Sequence, residues 1–283
     1  MDPLRNPVAF VGGGVMARAI VAGALEAGVL EPNGVCGADP DEGARAWFES
    51  RGCAAEADGA AALRWIERTE PAPGAGVLVL AVKPQMLGTA ARSIAPVLAG
   101  RPRLVVSILA GTTAARVREA LGGGGVRVVR AMPNTPARVR KGITAIAPDA
   151  SATDDDAAIA ERLFAAVGRV VCIDESLMDA FTAVAGSGPA YVFLLAEAMV
   201  EGGVVAGLDR ETALRAVRAT VAGAGALLES GDDEPAALRA AVTSKGGTTA
   251  AALGVLESAR VSGAVTRAVV AARDRGRELA GGA

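Results

Sequence analysis

Residues 7–17 read Pro7-Val8-Ala9-Phe10-Val11-Gly12-Gly13-Gly14-Val15-Met16-Ala17. An unbroken apolar run ends in three glycines, and apolar residues then recur at helical spacing through Met16, Ile20 and Ala24. That is a buried strand, a tight turn and a helix. Within the turn, Gly12, Gly14 and Ala17 form a GxGxxA string. Gly12 permits the turn, Gly14 lets backbone approach a pyrophosphate, and Ala17 lets helix pack on strand. The helix N-terminus then faces the negative charge. The string alone is a weak signal in a chain with 36 glycines; its strand–turn–helix context makes it a dinucleotide-binding reading.

The pattern repeats outward. GVCGADP is a short second strand and DEGARAWFESRG a second helix. A stretch with Pro71 and Pro73 reads as irregular. GVLVLAV and RLVVSIL are continuous apolar strands of the kind buried on both faces of a parallel sheet, the latter followed by helix TTAARVREAL. VRVVRAM, ITAIAP and RVVCID complete the set. Alternation at this spacing predicts a doubly wound α/β domain over 1–173. Strand signals then stop. Segments 175–206, 211–229 and 235–280 read as helices, so a helical domain over 174–283 follows. In the middle helix Leu214, Val217, Val221, Ala224 and Leu228 recur at spacings of three and four. Such a domain is read as a subunit interface, with a monomeric helical cap as the alternative.

Composition narrows the chemistry. The 283 residues, 51% hydrophobic and 21% charged, can build real cores. A net charge of −2 gives no general attraction for nucleic acid or an anionic membrane. No apolar run reads as long enough to span a bilayer, and the N-terminus lacks a signal-peptide pattern. Cys36, Cys53 and Cys172 are an odd count without a CxxC pair, which argues against a disulfide framework or metal site and for a reducing, cytoplasmic compartment. Histidine is absent, so imidazole-based hydrolysis and a histidine acid are excluded.

Further strings mark candidate sites. Asp39 ends the second strand, where an acid accepts from the adenine ribose and repels a 2′-phosphate, pointing to NADH; Arg45 could still meet a phosphate, and a capping role for Asp39 is the plainer alternative. Ala81-Val82-Lys83-Pro84-Gln85 follows the third apolar strand, where ligand crevices form; functional and structural readings stand level there. Arg130-Ala131-Met132-Pro133-Asn134-Thr135-Pro136 is a stiff loop in which Asn134 is a candidate wall for the nicotinamide or part of a plain turn. Ala185-Gly186-Ser187-Gly188-Pro189-Ala190-Tyr191 must break or kink a helical pattern, as a site or as a turn between helices. Val242-Thr243-Ser244-Lys245-Gly246-Gly247-Thr248-Thr249 precedes helix AAALGVLE. Backbone N–H groups and hydroxyls at a helix start make a site for a small carboxylate, beyond what capping by Thr248 or Thr249 requires.

With these strings in this order the chain resembles pyrroline-5-carboxylate reductase over essentially its full length. The run from Pro235 through Thr249 to Glu257 is similar to that family's signature, and the AVKPQ, MPNTP and GSGPAY strings match independently. The resemblance implies reduction of a cyclic imine acid to proline with NADP(H) or NAD(H). It implies that Val11, Gly12, Gly13, Gly14, Val15, Met16, Asp39, Ala81, Val82, Lys83, Pro84, Ile108, Leu109 and Ala110 line the cofactor, and that Glu175, Thr248 and Thr249 contact substrate. It also implies homodimers with interwoven helical domains, often in decamers, with sites shared between subunits. On that footing Ser244, Gly246 and Gly247 join the substrate set, and Thr249 is the candidate catalytic residue, its hydroxyl on the ring nitrogen. The departures are Lys245 where the family often has Pro, Val15 where it has a polar residue, Asp39 where it has Ser or Asn, Asp58-Gly59 where it has Asp-Asn, and a short insertion around Arg64 to Pro73. A reductase of another cyclic imine and a non-catalytic dinucleotide sensor are the competing readings.

Overall fold

The computed structural model of the chain describes residues 3–281. In chain order the first elements are β1 (Val8–Val11), α1 (Val15–Glu26), β2 (Val35–Ala38), α2 (Glu42–Glu49), β3 (Ala54–Glu56), α3 (Gly59–Thr69) and β4 (Val77–Leu80). They are followed by α4 (Leu87–Leu98), β5 (Arg103–Ser107), α5 (Ala114–Ala120), β6 (Val126–Met132), β7 (Gly142–Pro148), α6 (Asp154–Ala165) and β8 (Gly168–Cys172). The strands form one sheet in the order β3-β2-β1-β4-β5-β6-β7-β8. Neighbours run parallel except β6 and β7, which are antiparallel. The reason is length: residues 133–141 hold only a short 3₁₀ turn, too little chain for the crossover that a parallel return requires.

Every residue of β1, β2, β4 and β5 is buried. Alternate side chains feed two cores, one on each face. Val8, Phe10, Val35, Val79 and Val106 pack with α1 and α6. Ala9, Val11, Cys36, Leu80 and Val105 pack with α3, α4 and α5. Full burial of each Val, Leu or Ile contributes about 1.5–3 kcal/mol, and burial on both faces is why the strands read as unbroken apolar runs. Burial, aided by the charge of Glu56, pushes the Cys36 thiol up to about 12, so it is inert at neutral pH.

The stretch read as irregular before β4 is in part the helix α3. Asp58 caps it, accepting from Ala61 N at 2.8 Å, and Ala62, Leu63 and Ile66 are its buried face. Beyond α3 the chain wraps a carboxylate. Glu70 accepts from Gly74 N (3.3 Å), Gly76 N (3.0 Å) and Arg103 Nη1 (2.6 Å), and the two ionic side chains are only 7% and 3% exposed.

The rest of the chain is helical: α7 (Met178–Phe181), α8 (Gly188–Val205), α9 (Arg210–Ser230), α10 (Pro235–Ala241), α11 (Thr248–Ser258) and α12 (Val261–Gly281). The chain divides into two compact units at Gly186/Ser187, later than the boundary expected at 173/174, and the residues from Ala272 belong to the first unit. The Gly-Ser-Gly-Pro string interrupts the α-helical pattern as expected: α7 gives way to a π-helical turn at Thr182–Gly186, Ser187 is a bend, and α8 starts at Gly188. With that turn counted in, the helical stretch Glu175–Val205 is 31 residues long. That corrects the expectation about apolar runs: this helix is long and apolar enough, by length and composition, to cross a membrane.

In the second unit α8 packs on α9 through Val200, Ala213 and Val217, with Ala196 and Val221 partly buried. The expected stripe on α9 is buried only at Val217 and partly at Val221; Leu214 and Leu228 are exposed. On α8, Phe193 and Leu194 are each 67% exposed.

The Glu70–Arg103 clasp makes a stability prediction. Burial alone would raise the Glu70 carboxyl, but Arg103 and the two glycine N–H groups hold it below the usual range. Its contribution is therefore present above about pH 4.3 and lost as pH falls through the lower folded value. Glu70→Ala, which strands a buried guanidinium, is expected to cost about 3–5 kcal/mol in denaturant unfolding at pH 7. Glu70→Gln should flatten the acid limb of the stability curve.

Candidate functional site

The residues read as cofactor-binding in the first unit gather at one edge of the sheet, beyond the carboxyl ends of β1, β2, β4 and β5. Backbone bonds stitch them together: Gly12 N to Ala38 O (2.8 Å), Ala81 N to Val11 O (2.8 Å) and Ile108 N to Leu80 O (3.0 Å). This is where open α/β sheets form ligand crevices. Val11 and Leu109 are buried, so they offer a ligand backbone only. Val82, Lys83 and Pro84 enter a 3₁₀ turn after β4, and Ala110 follows β5.

The glycine turn is built for close approach. Gly12 has φ +103°, and a Cβ there would stand 2.7 Å from the Ala81 carbonyl. A Cβ on Gly14 would meet nothing within 4 Å, so space is open in front of it. Gly14 is the N-cap of α1, with no side-chain cap and no acid in the first turn, which leaves the N–H groups of Val15, Met16 and Ala17 to a ligand. Ala17 is buried against the strand. A dinucleotide's pyrophosphate fits this turn.

Asp39 stands on the turn itself. One carboxylate oxygen accepts from Gly13 N at 2.7 Å and the other from Asp41 N at 2.9 Å. It does not cap α2; Asp41 does, accepting from Ala44 N. Arg45, considered above as a phosphate ligand, donates to Asp39 O (2.9 Å) and Pro40 O (2.8 Å) and so fixes the loop. Arg18, which the sequence reading missed, braces the other side by donating from Nε to Gly13 O at 2.7 Å. Its only sequence signal is its place one turn into α1, because its acceptor lies in the glycine turn.

Asn134, considered as a nicotinamide wall, is 8% exposed and spends its amide within the fold. Its Nδ2 donates to Ala185 O (3.0 Å) and its Oδ1 accepts from Ile143 N (3.0 Å). It braces the π-turn against β7. Glu175, implied as a substrate contact, accepts from Ala114 N (2.7 Å) and from Arg130 Nη1 (3.0 Å). Arg130 was quoted in the sequence only as the lead-in to the proline loop; its partner 45 positions away gives no local signal.

In the second unit Ser244, Gly246, Gly247, Thr248 and Thr249 form one turn at the head of α11. Gly246 has φ +72°, and Gly247 N donates to Ser244 O at 3.1 Å. Gly247 is the N-cap, so neither threonine caps the helix; both lie in its first turn. A Cβ on Gly247 would stand 2.4 Å from Ser244 Oγ, so a side chain there would have to turn that hydroxyl away. No side chain caps α11, and Lys245 lies in the turn rather than on a helix. The head of α11 therefore presents backbone donors with two hydroxyls beside them.

Comparison with known proteins bears on both units. Residues 175–279 match the profile described as pyrroline-5-carboxylate reductase dimerisation, and residues 7–111 match that described as NADP oxidoreductase, coenzyme F420-dependent. A pyrroline-5-carboxylate reductase of Synechocystis is 42% identical over 95% of this chain and 97% of its own. The chain belongs to the pyrroline-5-carboxylate reductase family. The Arabidopsis thaliana reductase is 38% identical over 96% of this chain and 95% of its own. Among solved structures, the Coxiella burnetii reductase superposes with a TM-score of 0.87 at 35% identity, covering 97% of this chain and 98% of that one. The Plasmodium falciparum enzyme, solved with NADP bound, gives 0.84 at 26% identity, covering 98% and 99%. The fold is thus a Rossmann-like α/β unit followed by a helical one, and the family's cofactor is NAD(P)H.

A side chain at Gly12 tests the turn. Gly12→Ala must displace the Ala81 carbonyl and hold a strained φ, so reduced-cofactor affinity in a fluorescence titration is expected to fall about tenfold or more.

Proposed function

We propose that this protein reduces 1-pyrroline-5-carboxylate to L-proline with NAD(P)H, the last step of proline biosynthesis. The observation that carries the reading is the uncapped, threonine-bearing head of α11 within the segment shared with the family. The backbone N–H groups of Gly247 to Thr249, with Ser244 and Gly246 shaping the turn, hold the substrate carboxylate. The Thr249 hydroxyl meets the ring nitrogen and orients the imine carbon. The glycine turn Val11 to Met16 holds the pyrophosphate, and Ala81 to Pro84 with Ile108 to Ala110 line the rest of the cofactor. When bound, the reduced nicotinamide supplies the hydride. A cyclic imine can arrive already protonated, so the protein's work is positioning, which supplies several powers of ten in rate and needs no histidine.

The cofactor preference follows from Asp39. Its carboxylate lies against Gly13 N–H, where a ribose hydroxyl can still donate to it but a 2′-phosphate meets like charge. NADH is the preferred donor on this reading. The exposed apolar side chains of α8, Phe193 and Leu194 among them, are covered by a second copy of the chain, as the dimerisation match supports; decamers are the larger assembly proposed. Free thiols at Cys36, Cys53 and Cys172 support a reducing, cytoplasmic setting.

Thr249→Ala is expected to lower turnover of pyrroline-5-carboxylate by about 10²-fold or more while leaving cofactor affinity nearly unchanged. Undiminished turnover removes Thr249 from this role, and faster reduction of a six-membered imine acid would reassign the substrate. Asp39→Ser should narrow the NADH over NADPH preference in kcat/KM; a parent that already favours NADPH strongly refutes the ribose assignment.

A further inference from the structure

Glu175, implied as a substrate contact, also has bonds within the fold. A single oxygen, Oε1, takes two donors from two elements: the backbone N–H of Ala114 and the guanidinium of Arg130. Ala114 is the first residue of α5, whose N-cap Thr113 bonds Arg116 N instead. The Ala114 N–H is thus one of the donors a helix start leaves open, and Glu175 satisfies it. Arg130 is buried in β6 and pairs in register with Ser107, the last residue of β5. Residues 108–113, which include the cofactor-lining Ile108 to Ala110, run between those two points. One carboxylate therefore grips this loop at its exit, through Ala114, and beside its entrance, through Arg130. Glu175 is itself the first residue of the 31-residue helix.

We infer that Glu175 and Arg130 are positioning residues: their clasp, through Oε1, fixes loop 108–113 for hydride transfer. Resting on the proposed reaction, this separates two roles with different chemistry. A ligand for a cationic nitrogen needs the negative charge of Glu175. A clasp for an N–H and a guanidinium needs an acceptor oxygen at that place, which glutamine also carries. A loosened loop misplaces the cofactor's reactive end and lowers the rate of the chemical step, while substrate affinity is held elsewhere.

The test compares Glu175→Ala, Glu175→Gln, Arg130→Met and the Ala/Met double variant in the full-length protein. At saturating cofactor, Glu175→Ala and Arg130→Met should each lower kcat about tenfold or more with KM for pyrroline-5-carboxylate within about twofold. The double variant should fall no further than the worse single one, because both break one unit. Glu175→Gln should recover most of the lost kcat. If Glu175→Gln is as slow as Glu175→Ala, with KM raised about tenfold, the carboxylate touches substrate and the inference is overturned. Wild-type kcat in Glu175→Ala overturns it as well. Should Glu175→Ala fail to fold, Glu175→Gln alone decides, since it keeps the acceptor and removes the charge. Emission from the bound reduced nicotinamide should change in Glu175→Ala and Arg130→Met and be restored in Glu175→Gln. That readout needs no turnover, so failure of the clasp is distinguishable from failure of the proposed reaction.

Discussion

At the carboxyl edge of the sheet, two stretches of backbone come closer than any side chain would allow. Gly12 lies against the Ala81 carbonyl, and the turn before α1 is thereby pressed toward the loop after β4. Much of the first unit serves that approach. Strands buried on both faces hold the loops in register, Ala17 lets α1 settle on the sheet, and Asp39 and Arg18 hold Gly13 by its N–H and its carbonyl. The result is a helix start uncapped by any side chain, with open space in front of Gly14, the kind of place that suits an anion.

The same device recurs at the head of α11, in a different setting. There a glycine N-cap and a left-handed glycine before it leave the first turn uncapped by any side chain, and two threonines add hydroxyls. A helix start satisfies an anion with fixed dipoles and no titrating group. That suits a chain without histidine, whose three lysines lie off the helices. Asn134, Arg130 and Glu175 tie loops and turns of the first unit together.

Much of this was legible before any coordinates. Strands β1, β4 and β5 announced themselves because strands buried on both faces are built mainly from apolar residues. The glycine turn did so because only Gly and Ala fit where backbones meet. Helix α3 was missed, although Asp58 and the spacing of Ala62, Leu63 and Ile66 mark it, because Pro71 and Pro73 drew attention to the loop beyond. The interruption at the Gly-Ser-Gly-Pro string was legible because glycine and proline weaken an α-helix locally, but its form, a π-turn at Thr182–Gly186 whose Ala185 carbonyl is taken up by Asn134, was not. The exposed face of α8 was hidden by composition, since an apolar helix reads alike whether its own chain or another covers it.

The sequence by itself determined the alternation of strand and helix, the two glycine-led helix starts and the family, because each is written in short-range patterns of size, polarity and backbone freedom. Tertiary structure decided the antiparallel turn of β7, the unit boundary at Gly186, and the internal donors and acceptors that Asp39, Arg45, Asn134 and Glu175 meet. Those outcomes depend on which distant donor meets which acceptor. An isolated carboxylate or amide looks the same in sequence whether it will hold a ligand or a neighbouring loop.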